Sequence, residues 1–140
     1  MRFVDTNILI YSISDELAEH EKAARANRIL AATDLGLSAQ VLQEFYVQAT
    51  RERRPGRLTH EQAAGMVESY LRFPVRAITS SIVQAAISTR ERFQISYWDA
   101  AILEAARSLG CEMVLSEDLN DGQDYDGVRV ENPFRTSAGK

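Results

Sequence analysis

Asp5, Glu44, Asp99 and Asp118 stand where one fold could gather them, and acids so gathered could do metal-assisted chemistry. Asp5 ends the apolar opening Met1-Arg2-Phe3-Val4. Glu44 lies inside the amphipathic run 39–53, Asp99 opens the helix-like run 98–109, and Asp118 follows the apolar segment 111–115. Ligands of open parallel sheets bind outside the carboxyl ends of the strands, so acids at strand ends and helix starts can converge there. Like charges held that close repel, and staying ionised requires a cation. A hard divalent ion, Mg²⁺ or Mn²⁺, prefers oxygen ligands. The chemistry expected of the set is metal-assisted phosphodiester cleavage.

Each acid also has an ordinary reading. Asp5 could simply cap a following turn, although a charge directly after a buried strand is costly unless solvated, paired or metal-bound. Thr6 and Asn7 can bond the backbone there and fix the direction of the Asp5 carboxylate. Glu44 could be a surface acid, but Val41-Leu42 and Phe45-Tyr46 flank it and keep it near the buried stripe. Asp99 could be a first-turn acid, kept ionised by the helix N-terminus; the small Ala100-Ala101 pair instead suggests a helix start pressed against other structure. Asp118 could be a turn residue, and Glu117, Asp121, Asp124 and Asp126 compete with it as loop acids expected to be solvated. The stretch from Asp118 to Gly122 is no calcium loop, because Arg129 occupies the place of the twelfth-position glutamate.

Elements able to position these residues alternate along the chain. Residues 1–5 read as a strand, followed by the apolar run 8–11. Residues 15–32 read as a helix with acids first and Arg25 and Arg28 later, as the dipole favours. Leu37-Ser38 takes the place of a second strand. Residues 39–53 form a helix, with Leu42, Phe45, Tyr46 and Ala49 at three-and-four spacing. Pro55-Gly56 breaks the chain. Thr59 and Gln62 give a capping box for a helix to about Arg72. Residues 74–78 predict a third strand and 79–92 a helix. Ser96 caps a helix whose buried stripe is Trp98, Ile102, Ala105 and Leu109, with Gly110 as its stop. Residues 111–115 and 128–131 predict two more strands, the last entered through the Asp126-Gly127 turn, and 136–140 a frayed tail. The alternation predicts an α/β fold with a mostly parallel sheet covered on both faces.

The 140 residues, 45% hydrophobic, suit a single domain over 1–135. No apolar run approaches a membrane span, and the N-terminus lacks the order of a signal peptide. The lone Cys111 sits in an apolar segment as a small hydrophobe, which points to a cytosolic protein. The net charge of −4 argues against a nucleic-acid binder unless bound metal reverses the local field. Lysine occurs only at positions 22 and 140, so arginine carries the positive charge, in the form best suited to bidentate phosphate contact.

Phe3-Val4-Asp5-Thr6-Asn7, Gln43-Glu44, Tyr97-Trp98-Asp99-Ala100-Ala101-Ile102 and Leu115-Ser116-Glu117-Asp118-Leu119 occur in the order and at the spacing of one family. In these pieces, and in the closing stretch 126–134, the chain resembles the PIN-domain ribonucleases. It is most similar to the toxin subunits of VapBC-type toxin–antitoxin pairs. The resemblance implies a three-layer α/β/α sandwich and Mg²⁺ or Mn²⁺ held by Asp5, Glu44 and Asp99, with Asp118 as a fourth acid. It implies RNA cleavage, commonly by a homodimer, and a Ser116 hydroxyl that supports the site. It also implies a cognate antitoxin that lays a peptide across the acidic pocket.

On that footing, a metal-activated water would hydrolyse an RNA phosphodiester and leave a 5′-phosphate and a 3′-hydroxyl. Neither histidine suits metal-free chemistry, since His20 and His60 lie in polar stretches expected at the surface. Arg51, Arg53 and Arg54 form the densest cationic cluster and the candidate RNA contact. Arg51, seven residues beyond Glu44 on the same helix, is expected on roughly one face and about 10 Å along. The alternative for the cluster is a solvated helix end. Tyr11, Tyr46 and Tyr97 could stack bases, though core packing is the plainer reading. Asn7 and the absence of a well-placed lysine exclude an aspartyl phosphatase or a receiver domain. A rival function is an inactive PIN-like module that only binds RNA or a protein. Nothing in the residues separates RNA from DNA.

Overall fold

The computed structural model describes residues 1–135; the tail expected at 136–140 lies outside them. Strand β1 (Arg2–Val4) is followed by helices α1 (Thr6–Ser12) and α2 (His20–Leu30). Then come β2 (Leu35–Ser38), α3 (Ala39–Ala49), α4 (His60–Tyr70), β3 (Val75–Arg76), α5 (Ser80–Phe93) and α6 (Tyr97–Ser108). Strands β4 (Met113–Leu115), β5 (Asp124–Tyr125) and β6 (Val128–Glu131) complete the order. The sheet runs β3-β2-β1-β4-β6-β5, parallel throughout except for the β5–β6 pair.

That order makes the chain double back. It builds outward from β1 to β2 to β3, then returns to place β4 on the other side of β1. Right-handed crossovers put helices α1–α4 on one face and α5 and α6 on the other, giving an α/β/α sandwich. The reversal at β1 and β4 is a topological switch point, where a crevice opens at the strands' carboxyl ends. The sheet is buried through its centre: Phe3, Val4, Leu37, Val114, Leu115 and Val130 are fully buried.

Several expected boundaries move. The run 8–11 belongs to helix α1, capped by Asp5, whose carboxylate accepts from Thr6 N–H at 2.7 Å. The helix expected over 15–32 begins with a 3₁₀ turn at Leu17–Glu19 and becomes α-helical at His20. Helix α3 stops at Ala49, short of the expected Arg53. The Thr50 hydroxyl bonds the Tyr46 carbonyl, Arg51 N–H turns to Gln48, and Leu58 N–H takes the Ala49 carbonyl. Strand β5 is too brief to register in sequence. It forms a hairpin with β6 across Asp126 and Gly127, both at positive φ (56° and 95°), the conformation of a two-residue hairpin turn.

Other expectations hold. Thr59 and Gln62 form the capping box reciprocally. Ser96 caps α6, and Gly110 at φ 79° closes it, with Cys111 N–H on the Ala106 carbonyl and Gly110 N–H on that of Arg107. Cys111 is buried. His20 and His60 are exposed. Among the described residues, no helix is long and apolar enough to cross a membrane.

Candidate active site

The switch point delivers the acids. Asp5 is the first residue past β1, and Ser116, Glu117 and Asp118 are the first past β4, the strand paired with β1. Helix α3 leaves the same end of the sheet directly after β2, carrying Glu44. Helix α6 runs back toward β4 and so presents its N-terminus, with Asp99, at that end. Asp5, Thr6, Asn7, Gln40, Glu44, Gln48, Trp98, Asp99, Ile102 and Asp118 line one cleft of about 140 Å³. The four acids named from sequence therefore share a cavity, and no Lys or Arg is in its lining.

Asp5 lies at the bottom, 5% exposed. One oxygen accepts from Thr6 N–H at 2.7 Å; the other accepts from the Ser116 hydroxyl at 2.6 Å and the Asn7 amide at 3.5 Å. Burial pushes its carboxyl up to about 7, against the pull of Ser116 and Thr6, and the charges of Asp118 and Glu44 push it further the same way. Asp99 is also raised, first by burial and then by Asp118 and Glu44, with the Ser96 hydroxyl opposing. The helix N-terminus was expected to keep Asp99 readily ionised; desolvation at the cleft wall outweighs it. In both cases neighbouring acids contribute, which is the electrostatic signature of negative charges converging on one space.

Thr6 serves both sides of the cleft. Its backbone holds Asp5, while its hydroxyl donates to Glu44 Oε1 at 2.7 Å. Asn7 donates to Asp118 at 3.2 Å and to Ser116 at 3.4 Å, and its side-chain oxygen accepts from Glu117 N–H at 3.2 Å. Ser116 accepts from Asp118 N–H at 3.1 Å. The hydroxyl and amide residues named from sequence thus tie the acids to one another.

Two residues of this wall escaped the sequence reading. Gln40 is buried, donates to Glu44 at 3.4 Å and bonds the Trp98 carbonyl at 3.2 Å, joining α3 to the start of α6. Gln48 lines the same side. The signal was present: Gln40, Glu44 and Gln48 recur every fourth residue, a polar stripe beside the apolar one.

Other expectations need correction. Trp98 is not part of a buried stripe but is 63% exposed at the rim of the cleft; the first turn of α6 points it outward where Ala100 and Ala101 pack inward. Glu117 is no solvated loop acid. It takes the Tyr11 hydroxyl and the Lys22 ammonium, each at 2.6 Å, and burial, which would raise it, is outweighed by these two, leaving its carboxyl lowered. Asp121, Asp124 and Asp126 are exposed as expected of loop acids, and each is also bonded: Asp126 pairs with Arg92, Asp124 accepts from Gly127 N–H at 2.5 Å, and Asp121 bonds Asn132 N–H and Arg135, each at 2.8 Å. The loop acids fix the structure around β5 and β6. Arg51 does not share α3 with Glu44, because the helix has already ended; Arg51 and Arg53 are exposed and Arg54 half-buried in the turns that follow. Tyr11 and Tyr46 are engaged by Glu117 and His60, and Tyr97 packs edge-on against Trp98.

The donor set fits a hard divalent ion. All four acids offer oxygen, and among the described residues none is ion-paired with a Lys or Arg. The buried Asp5 lacks the counter-charge that would keep its carboxyl low. Among the described residues, no three His, Cys, Asp or Glu are gathered closely enough to ligate one ion directly. Mg²⁺ does not require that, since it usually keeps several waters and takes one or two carboxylates.

A family model described as PIN domain matches residues 2–122. No curated protein matches the chain. Among solved structures, a toxin–antitoxin complex from Klebsiella pneumoniae is 22% identical, with a TM-score of 0.69, covering 97% of this chain and 100% of that one. VapC20 of Mycobacterium tuberculosis, a toxin that cleaves the sarcin–ricin loop, is 22% identical with a TM-score of 0.66 over 84% and 90%. A FitAB structure bound to an IR36 DNA fragment is 16% identical with a TM-score of 0.72 over the full length of both chains. At these identities the likeness is one of fold.

Proposed function

We propose a nuclease function from a fixed premise: the chain belongs to the PIN domain family. The reading is an Mg²⁺- or Mn²⁺-dependent endoribonuclease, acting as the toxin of a VapBC-type pair in the cytoplasm. One observation carries it: four acids line a single cleft whose lining has no cationic side chain, at the switch point of a parallel sheet.

Asp5, Glu44, Asp99 and Asp118 would hold the metal, directly or through its waters. A bound divalent ion supplies Lewis-acid activation of water and neutralises charge on the phosphate. The remaining work belongs to the chain. Ser116, Asn7 and Thr6 N–H aim the Asp5 carboxylate, and Thr6 and Gln40 aim that of Glu44. Without a metal, burial and then the charges of Asp118 and Glu44 raise the half-buried Asp99 carboxyl, and a bound cation would oppose that shift and favour the ionised form. Ile102, buried on α6, is the aliphatic part of the cleft lining and limits water on that side.

An antitoxin partner is supported by the likeness to the chain of a toxin–antitoxin complex and by an apolar groove of about 430 Å³ between α3 and α4. Leu42, Tyr46, Val47 and Val67 line it, with Val47 56% exposed. Pairing as a homodimer and phosphate contact by Arg51, Arg53 and Arg54 belong to the same proposal.

The test is cleavage of a fluorescent RNA by the purified chain. Cleavage is expected with Mg²⁺ or Mn²⁺, leaving 5′-phosphate ends, and is expected to vanish in EDTA and in Asp5→Asn. Cleavage that persists in EDTA or in Asp5→Asn refutes the assignment.

A further inference from the structure

Trp98 is a large aromatic residue placed where folding gains little from it. It is 63% exposed, so most of its apolar surface is left in water rather than buried in the core. The indole stands at the rim of the acidic cleft, one residue from Asp99. Its position is nevertheless well defined. The Gln40 amide bonds its carbonyl at 3.2 Å, and the Tyr97 ring meets it edge-on, with centroids 5.0 Å apart and planes at 81°. Ser96 caps the turn by accepting from Asp99 N–H at 3.0 Å. A held but exposed aromatic ring is a ready-made platform.

The cleft explains what such a platform would do. Its lining is acidic and has no Lys or Arg, so an approaching phosphodiester is repelled until counter-charge is present. Attraction that does not depend on the sign of charge has to come from somewhere beside it. Base–aromatic stacking supplies that attraction at about 1–3 kcal/mol per base and tolerates any sequence. Among the cleft residues only Trp98 has a π-face to offer.

We propose that Trp98 stacks on an unpaired nucleobase of the RNA next to the scissile phosphate, positioning the strand over the acids. This rests on the nuclease reading above. It also predicts a preference for single-stranded or looped RNA, because a paired base is already stacked and cannot swing onto the ring.

Trp98 is the only tryptophan in the chain, so its emission reports this site alone. The parent protein in Mg²⁺, followed by stopped flow before cleavage proceeds, should show saturable quenching of that emission by a single-stranded RNA oligonucleotide and none by the same sequence fully paired. Trp98→Ala should raise KM for RNA cleavage about 5- to 100-fold with a smaller change in kcat, and Trp98→Phe should restore most of the loss. Unchanged emission while dye-labelled RNA binds by anisotropy, or an unaltered KM in Trp98→Ala, overturns the stacking role and leaves the nuclease reading intact. Blue-shifted emission of the free protein that reddens on dilution would place Trp98 between two copies and likewise overturn it. RNA neither bound nor cut by any form overturns both.

Discussion

Asp5 caps α1 with one carboxylate oxygen and takes the Ser116 hydroxyl on the other, so its geometry is fixed from both sides while its charge is not compensated. In metal-free protein this costs stability. The folded carboxyl is pushed up to about 7 from an ordinary 3.8, so between those values the folded chain holds a proton that the unfolded chain has released. Stability from this group is therefore full below about pH 4 and lost as pH rises through about 7, a span on the order of 4 kcal/mol. Asp5→Asn keeps the shape and the capping oxygen and removes the charge. In EDTA it should be more stable than the parent at pH 8, by up to that amount in urea denaturation, and the gap should close toward pH 4. A variant less stable than the parent at pH 8 would contradict the burial of an unpaired charge.

At the scale of elements, legibility followed length and period. Helix α6 was readable because Ser96, the Ala-rich stripe and Gly110 agree on its start, face and end. The capping box at Thr59 was readable for the same reason. Helix α1 was not: its seven residues include Ile8 and Ile10, which suit a strand equally well, and its cap is the acid that draws attention for its chemistry. The exposure of Trp98 was hidden because period alone cannot say which end of a stripe meets solvent. The end of α3 was misjudged because nothing in residues 50–53 forbids a helix; the Thr50 hydroxyl and the returning Leu58 end it through contacts made elsewhere. That matters for the arginines. Arg51, Arg53 and Arg54 occupy turns rather than a helix face, so the phosphate contact proposed for them is a loop contact. Replacing all three with Ala should weaken RNA binding and flatten the plot of log affinity against log salt by roughly one unit per lost phosphate contact. An unchanged slope would leave them as solvated turn residues.

At the scale of the molecule, the acids separated by up to 113 positions meet because of strand order. The doubling back at β1 and β4 brings residues 5 and 116–118 side by side, and helix direction brings residues 44 and 99 to the same end. Sequence pattern gave the alternation that implies a parallel sheet, and the resemblance gave the pairing of motifs. What neither contained was the wiring between the acids. Thr6 reaching Glu44, Asn7 reaching Asp118 and Gln40 joining Glu44 to the Trp98 backbone are long-range contacts with no local signature. This wired cleft should capture a hard divalent ion, and Mn²⁺ binding followed by electron paramagnetic resonance tests that without needing the right RNA. The parent chain should take up Mn²⁺ saturably, lose it to excess Mg²⁺, and bind it far more weakly as Asp5→Asn. Equal uptake by parent and Asp5→Asn, or none by the parent, would mean that these acids do not hold a metal ion.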